Sequence, residues 1–153
     1  MKITTRQIME GEDELILCYK ERNAEVEAIL HFVENQSTRL EGIKDGEESG
    51  RILLIPAQVF YFESVDGELF AYGEEDVYRV QAGLQEILSR YEASGFFRCS
   101  RTMAVNIYKM ERLKSEPAGK ILATLSNGEE ILISRKYAKQ LRNILRNGRE
   151  ERS

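Results

Sequence analysis

Residues 96–110 read FFRCSRTMAVNIYKM, and two materials meet there. Met103, Val105 and Ile107 alternate with small or polar neighbours, the spacing of a half-buried strand. Just ahead of them Arg98, Cys99, Ser100, Arg101 and Thr102 form a cationic, hydroxyl-rich cluster with no adjacent acid. Either this is an ordinary solvated loop entering a strand, or the strand holds the loop out towards an anion.

Working outward, the flanking segments alternate between strand and helix signals. Residues 2–8 and 14–19 (ELILCY) read as short strands. Asn23 is placed to cap a helix over about 24–35, in which Val26, Ile29, Leu30 and Val33 share one face. His31 falls off that stripe and reads as a solvated histidine. RLEGIKDGEESGRILLIPAQ (39–58) has the form of a hairpin with an acidic, glycine-containing turn. Three strands follow within 59–80, joined by SVDGE and GEED. A helix over 81–93 carries Leu84, Ile87, Leu88 and Tyr91 at helical spacing, and Gly95 is placed to end it. KILATL and EILIS are joined by Asn127-Gly128, the strongest short hairpin signal in the chain. A last helix over about 135–146 closes the domain. The sum is a single α+β, predominantly β domain with short antiparallel connections.

The chain has 153 residues, 42% hydrophobic and 31% charged, enough for one soluble domain with a real core. Its longest nearly apolar run, ILLIPAQVFYF, is shorter than the roughly 20 residues a membrane helix needs. The start, MKITTRQIMEGEDE, lacks the apolar core of an export signal, so a cytoplasmic protein is expected. Cys18, Cys99 and the lone His31 make no metal-ligand spacing and no disulfide framework. Net charge is −4, but its distribution matters more: residues 1–50 sum to −6, residues 51–95 to −5 and residues 96–153 to +7. The C-terminal third is the basic face of an acidic chain.

Enzyme chemistry finds little support. No nucleophile, zinc-protease, phosphate-loop or dinucleotide motif occurs, and the run Glu74-Glu75-Asp76 reads as a solvated turn. ISRKYAKQLRNILR is more informative. Ser134 suits an N-cap, and Tyr137, Leu141, Ile144 and Leu145 form the stripe expected to be buried. Lys136, Lys139, Asn143 and Arg146 fall on another face, flanked by Arg135 and Arg142. Cations at 135 and 136 oppose the helix dipole, and an anion bound at that terminus would resolve the conflict; a helix with a merely basic exterior is the plain alternative. At Cys99 neighbouring cations could lower a thiol pKa and make a redox switch, against the simpler reading of a packed strand-end cysteine.

IPAQVFYFESVDGELFAY, FFRCSRTMAVNIYKMERL and LSNGEEILISRKYAKQL, in that order and spacing, resemble the LytTR family of bacterial DNA-binding domains. The resemblance covers roughly residues 50–147. It implies an elongated antiparallel LytTR-type β-β-β domain with short helices, preceded by a small strand-helix-hairpin extension (1–49) and followed by a charged tail (148–153). It also implies that loops, rather than a recognition helix, enter successive major grooves of duplex DNA. Carried onto this chain, the loop between the first two strands offers Ser64 and Asp66, the latter able to accept from cytosine N4. The loop before the V-N strand offers Ser100, Arg101 and Thr102, with Arg101 suited to a guanine edge. Arg135 of the S-R pair is the third reader. Arg98, Thr102, Ser134, Lys136 and Lys139 would hold phosphates, which fix register without reading bases. Asn106 reads as structural. Some fifty preceding residues cannot hold the receiver domain common in the family, so the chain is similar to stand-alone regulators, often paired with a small inhibitory membrane protein. Two protomers on direct repeats are expected, with the acidic extension as dimer or partner surface and no cofactor, metal or small-molecule substrate. The rival is a strand-rich protein-interaction module without DNA binding, for example one anchored by a membrane partner.

Overall fold

Asn23 begins the first helix: its Oδ1 accepts from the Val26 amide at 3.0 Å and its carbonyl from Glu27 at 2.9 Å. These bonds satisfy amides that a helix start otherwise leaves orphaned. The computed structural model describes residues 2, 4–7, 9–11, 15–37, 39–47 and 50–150, without the side chains of 31, 32, 34–37, 93 and 148–150. The reading of His31 therefore lies outside the described residues. Helix α1 (Ala24–Ser37) is followed by β1 (Leu40–Lys44), β2 (Ile52–Leu54), β3 (Tyr61–Val65), β4 (Glu68–Tyr72) and β5 (Val77–Val80). Then come α2 (Leu84–Tyr91), β6 (Phe96–Arg98), β7 (Met103–Asn106), β8 (Met110–Ser115), β9 (Ile121–Leu125), β10 (Glu130–Ile133) and α3 (Arg135–Glu150).

Among the described residues the strands form two antiparallel sheets. One has seven strands in the order β2-β1-β5-β4-β3-β7-β6; the other has three, β10-β9-β8. Where strands were expected at 2–8 and 14–19, the described residues (2, 4–7 and 15–19) are coil, and Leu15 and Ile16 remain 70% exposed. An apolar run is a strand only if an edge pairs with it, and among the described residues neither free edge of the large sheet does. The hairpin of β1 and β2 forms as expected, and β1 also pairs with β5, Gly42 opposite Val80. Part of the N-terminal extension is thus built into the main sheet.

The 103–107 stretch turns out to be buried on both sides rather than half-buried. Ala104 and Val105 are inaccessible, and Asn106 is 1% exposed. Phe62, Phe96 and Ala104 join Leu84, Ile87 and Tyr91 of α2 in one core; Phe62 and Phe96 meet edge to face at 4.9 Å. Tyr61, Phe97 and Val105 point the other way, into a second core completed by Ile121, Ile133 and Leu141. Each adjacent pair, Phe96-Phe97 and Ala104-Val105, splits between the two faces as strand geometry requires. Alternation suggested one solvated face because Ala104 is small and Asn106 polar, yet both sit inside.

Helix α2 starts at Leu84, three residues later than expected, and passes through a 3-10 turn (Glu92–Ser94) to Gly95 at φ +88°. That glycine is required twice over, because a Cβ there would also lie 2.5 Å from the Tyr108 ring. In α3 the expected stripe is only half right. Ala138 and Leu141 are fully buried, whereas Ile144 and Leu145 remain 46% and 41% exposed. Leu141 is the last α3 residue in the second core, and the helix runs past it to Glu150, into the segment expected to be tail.

Candidate nucleic-acid interface

The cluster before β7 is a tightly tied loop. Met103 O accepts from the Cys99 and Ser100 amides at 3.0 and 3.3 Å, and Ser100 Oγ accepts from the Thr102 amide at 3.2 Å. Arg98, expected on phosphate, is engaged within the protein: Nη1 donates to Arg101 O at 2.9 Å and Nη2 to Gln85 Oε1 at 3.2 Å. These bonds fix the backbone under Arg101, whose own side chain is exposed. Cys99 anchors the loop from below. It is inaccessible, its Sγ donates to Met103 O at 3.4 Å, and burial pushes its pKa up to about 12, which the lowering influence of Arg98 does not offset. A redox switch needs an accessible thiolate; this is the packed cysteine instead. Proximity in sequence to two arginines overlooked burial.

Two backbone hydrogen bonds join this loop to the other expected contact points. The Ser64 amide, at the end of β3, donates to Thr102 O at 2.8 Å, and the Ser134 amide donates to Cys99 O at 3.0 Å. Ser134 O in turn accepts from Ala138 at 2.8 Å, which makes Ser134 the N-cap of α3. Ser64, residues 99–102 and the start of α3 are therefore contiguous backbone. Asp66 lies two residues beyond Ser64 at the tip of the β3–β4 turn. It is exposed, at φ +51° with Gly67 at +81°, the mirror-image turn that Asp-Gly favours in hairpins.

Arg135 is exposed, with its stem across Gly119: a Cβ at 119 would lie 3.2 Å from Arg135 Cγ. Ala118 and Gly119 both have left-handed backbone, φ +62° and +76°, and Arg142 Nη1 donates to Gly119 O at 3.4 Å. The turn at 117–119 is thus a platform for the basic face of α3. On that face Arg135, Lys139, Arg142 and Arg146 recur at i, i+4, i+7 and i+11. Lys136 lies aside, its Nζ 5.3 Å from the Tyr137 ring centre. Among the described residues no carboxylate pairs with Arg101, Arg135, Lys136, Lys139, Arg142 or Arg146.

The scaffold behind the loop is polar where it must hold position. Asn106 Nδ2 donates to Val59 O at 3.0 Å and Ala57 O at 3.4 Å, and its Oδ1 accepts from the Tyr108 amide at 3.0 Å. The structural reading of this residue is borne out. Tyr61 stacks on Tyr72 with centroids 4.3 Å apart. Burial, followed by the charge and hydrogen bonding of Glu129, raises the Tyr61 pKa above the ordinary phenol value. Glu129, in the β9–β10 connection, thus stands beside Tyr61 of the large sheet. Sequence reasoning missed Gln85, Gly119 and the Cys99 carbonyl; the first is an ordinary exposed helix residue, and the other two act through backbone geometry.

The sequence model of the LytTr DNA-binding domain matches residues 49–146. The chain belongs to the LytTR family. It is 26% identical over 97 residues to the transcriptional regulatory protein YpdB of Escherichia coli, an alignment covering 62% of this chain. The chain spans 40% of that relative's length. Among solved structures it is similar to the LytTr DNA-binding domain of a Bacillus cereus protein described as a methyl-accepting/DNA response regulator. There the TM-score is 0.62 at 25% identity, covering 69% of this chain and 96% of the other. The expected fold is thus found, and β1 and Arg39 lie ahead of the stretch that the LytTR model matches.

Proposed function

We propose that this chain is a non-enzymatic, sequence-specific transcription regulator that docks loop 99–102 and the start of α3 in major grooves of duplex DNA. Arg101 and Arg135 read guanine edges, where a guanidinium can bond O6 and N7 together. Thr102, Ser100, Ser134, Lys136 and Lys139 hold phosphates, and Ser64 and Asp66 lie at the neighbouring contact. Arg98 serves chiefly as the brace of the loop. The observation that carries the reading is the pair of hydrogen bonds from Ser64 to Thr102 and from Ser134 to Cys99, which draws three separate chain segments to one place. Around it stand exposed cations without carboxylate partners among the described residues.

Two protomers occupy direct repeats side by side in this proposal, in the cytoplasm. Residues 1–49 act as a protein-contact surface, for a second copy or for an inhibitory membrane partner, and residues 50–147 as the DNA-binding unit. Exposed Leu15, Ile16 and Tyr19 support a contact role for that segment. The test is selection of bound sequences from a random duplex pool, followed by affinity against salt. The two lysine contacts, at about −0.9 for each phosphate neutralised, give a slope of log K on log[salt] near −1.8. A flat curve and an unenriched pool would leave the protein-interaction module as the better reading.

A further inference from the structure

Residues 39–95 hold five lysines and arginines, and four of them, Arg39, Arg51, Arg79 and Arg90, line one groove of about 360 Å³. The fifth, Lys44, pairs with Asp76 at 3.1 Å. In an otherwise acidic part of the chain this concentration is conspicuous. Glu41 and Glu86 also line the groove. Glu41 pairs with Arg51 at 3.0 Å, and Glu68 approaches Arg79 at 3.6 Å from outside it. Arg39 and Arg90 make no ion pair among the described residues. All six charged lining residues are exposed. A small anion bound there would keep much of its water, whereas a polyanion gains by releasing condensed counterions.

The sheet register says where this groove lies. Thr102 bonds Ser64, Ser64 faces Leu69, Leu69 faces Val80 and Val80 faces Gly42, a single row from the loop before β7 across β3, β4, β5 and β1. Val80 and Gly42 line the groove. Loop 99–102 and Arg39, which precedes β1, thus share one end of the sheet, four strand spacings apart, or about 19 Å, while Arg90 enters the groove from α2. Phosphates follow one another every ~3.4 Å along a strand, so this span is about six of them.

We propose that the groove at Arg39 and Arg90 is a second phosphate-backbone contact, extending the DNA footprint about six base pairs beyond the reader loops. It rests on the reading above that DNA lies against loop 99–102. Arg39 precedes the stretch matched by the family, so the contact is one that this chain adds through β1.

The test compares the parent with an Arg39→Ala/Arg90→Ala double variant on two duplexes: one trimmed to the selected core site, the other extended by ten base pairs at each end. For the parent, the salt slope should steepen by about 1.8 units on the long duplex, two contacts at ~0.9 each. The variant should give equal slopes on both, and Arg39→Lys/Arg90→Lys should restore the difference. A variant that keeps the parent's slope on the long duplex overturns the inference and leaves the DNA reading intact. A flat parent slope on both duplexes overturns the two together. Inorganic phosphate, at constant ionic strength, supplies the remaining arm. If it raises the parent's Tm but not the variant's while the duplex slopes agree, the groove takes free anions and the inference fails.

Discussion

Loop 99–102 and the turn at 65–67 are neighbours, yet they are held in opposite ways. The loop is tied from outside: β3, α2 and the start of α3 each contribute a hydrogen bond to it or to its arginine brace. The turn is held by its own left-handed backbone at Asp66 and Gly67, and among the described residues nothing bonds the Asp66 side chain. Discriminating one base from another requires a side chain carried on backbone that does not give way. The contrast therefore ranks the two as readers, Arg101 ahead of Asp66.

The largest effect that can break this contrast concerns the two cysteines. Cys18 is exposed and Cys99 buried beneath the loop. A pKa pushed from 9.0 to about 12 leaves Cys99 roughly a thousandfold less thiolate near pH 8. Alkylation by iodoacetamide, read by mass spectrometry, should consume Cys18 first and Cys99 only on unfolding. Rates within tenfold of each other would mean that the loop opens readily. Because the folded pKa is raised, the fold favours the neutral thiol. That contribution to stability is complete below about pH 9 and declines as pH climbs through about 12.

Next in size is Asn106→Ala. It would strand the buried Val59 carbonyl and leave the part-buried Tyr108 amide without its partner, a loss of about 2 kcal/mol together. Urea unfolding should show the loss as a lower midpoint at an unchanged m-value. A loss under about 1 kcal/mol would mean that the loop's rigidity comes from elsewhere.

How far the sequence could be read depends on the range of the interaction. Asn23, Asp66-Gly67 and Gly95 act on backbone within a few residues, and each was legible from its own neighbours. The central sheet was legible as strands but not as a layer with two cores, because Ala104 and Asn106 mimic a solvated face in one dimension. Residues 14–19 carried a strand's pattern, but among the described ones, 15–19, the partner that makes a strand is lacking. At the candidate site, Arg101 and Arg135 stood out by charge and by family resemblance. The hydrogen bond from Ser134 to Cys99 spans a long stretch of chain through main-chain atoms, and no residue type announces it. The arginine groove stayed hidden for the same reason: Arg39, Arg51, Arg79 and Arg90 come from four separate segments.

Base preference gives the next test of the contrast. Arg101→Ala should cost about 1–3 kcal/mol on the selected site and relax preference at one base pair, measured by competition against a panel of single-base variants. A uniform loss across the panel would make Arg101 a phosphate contact and remove the reason for its bracing.

The smallest effect belongs to Asp66, and it decides whether bracing matters at all. Asparagine tolerates the left-handed conformation at 66 as alanine would not, so Asp66→Asn removes the charge without straining the turn. An unbraced carboxylate beside phosphates contributes only repulsion, partly screened by salt. The variant should then bind every sequence slightly tighter, by about twofold, with the base preference of the parent. A changed preference at a single C·G pair would mean that Asp66 accepts from cytosine N4 and reads a base from a turn with no external ties. In that event rigidity would have to come from the DNA side on docking, and the ranking of Arg101 over Asp66 would lose its physical basis.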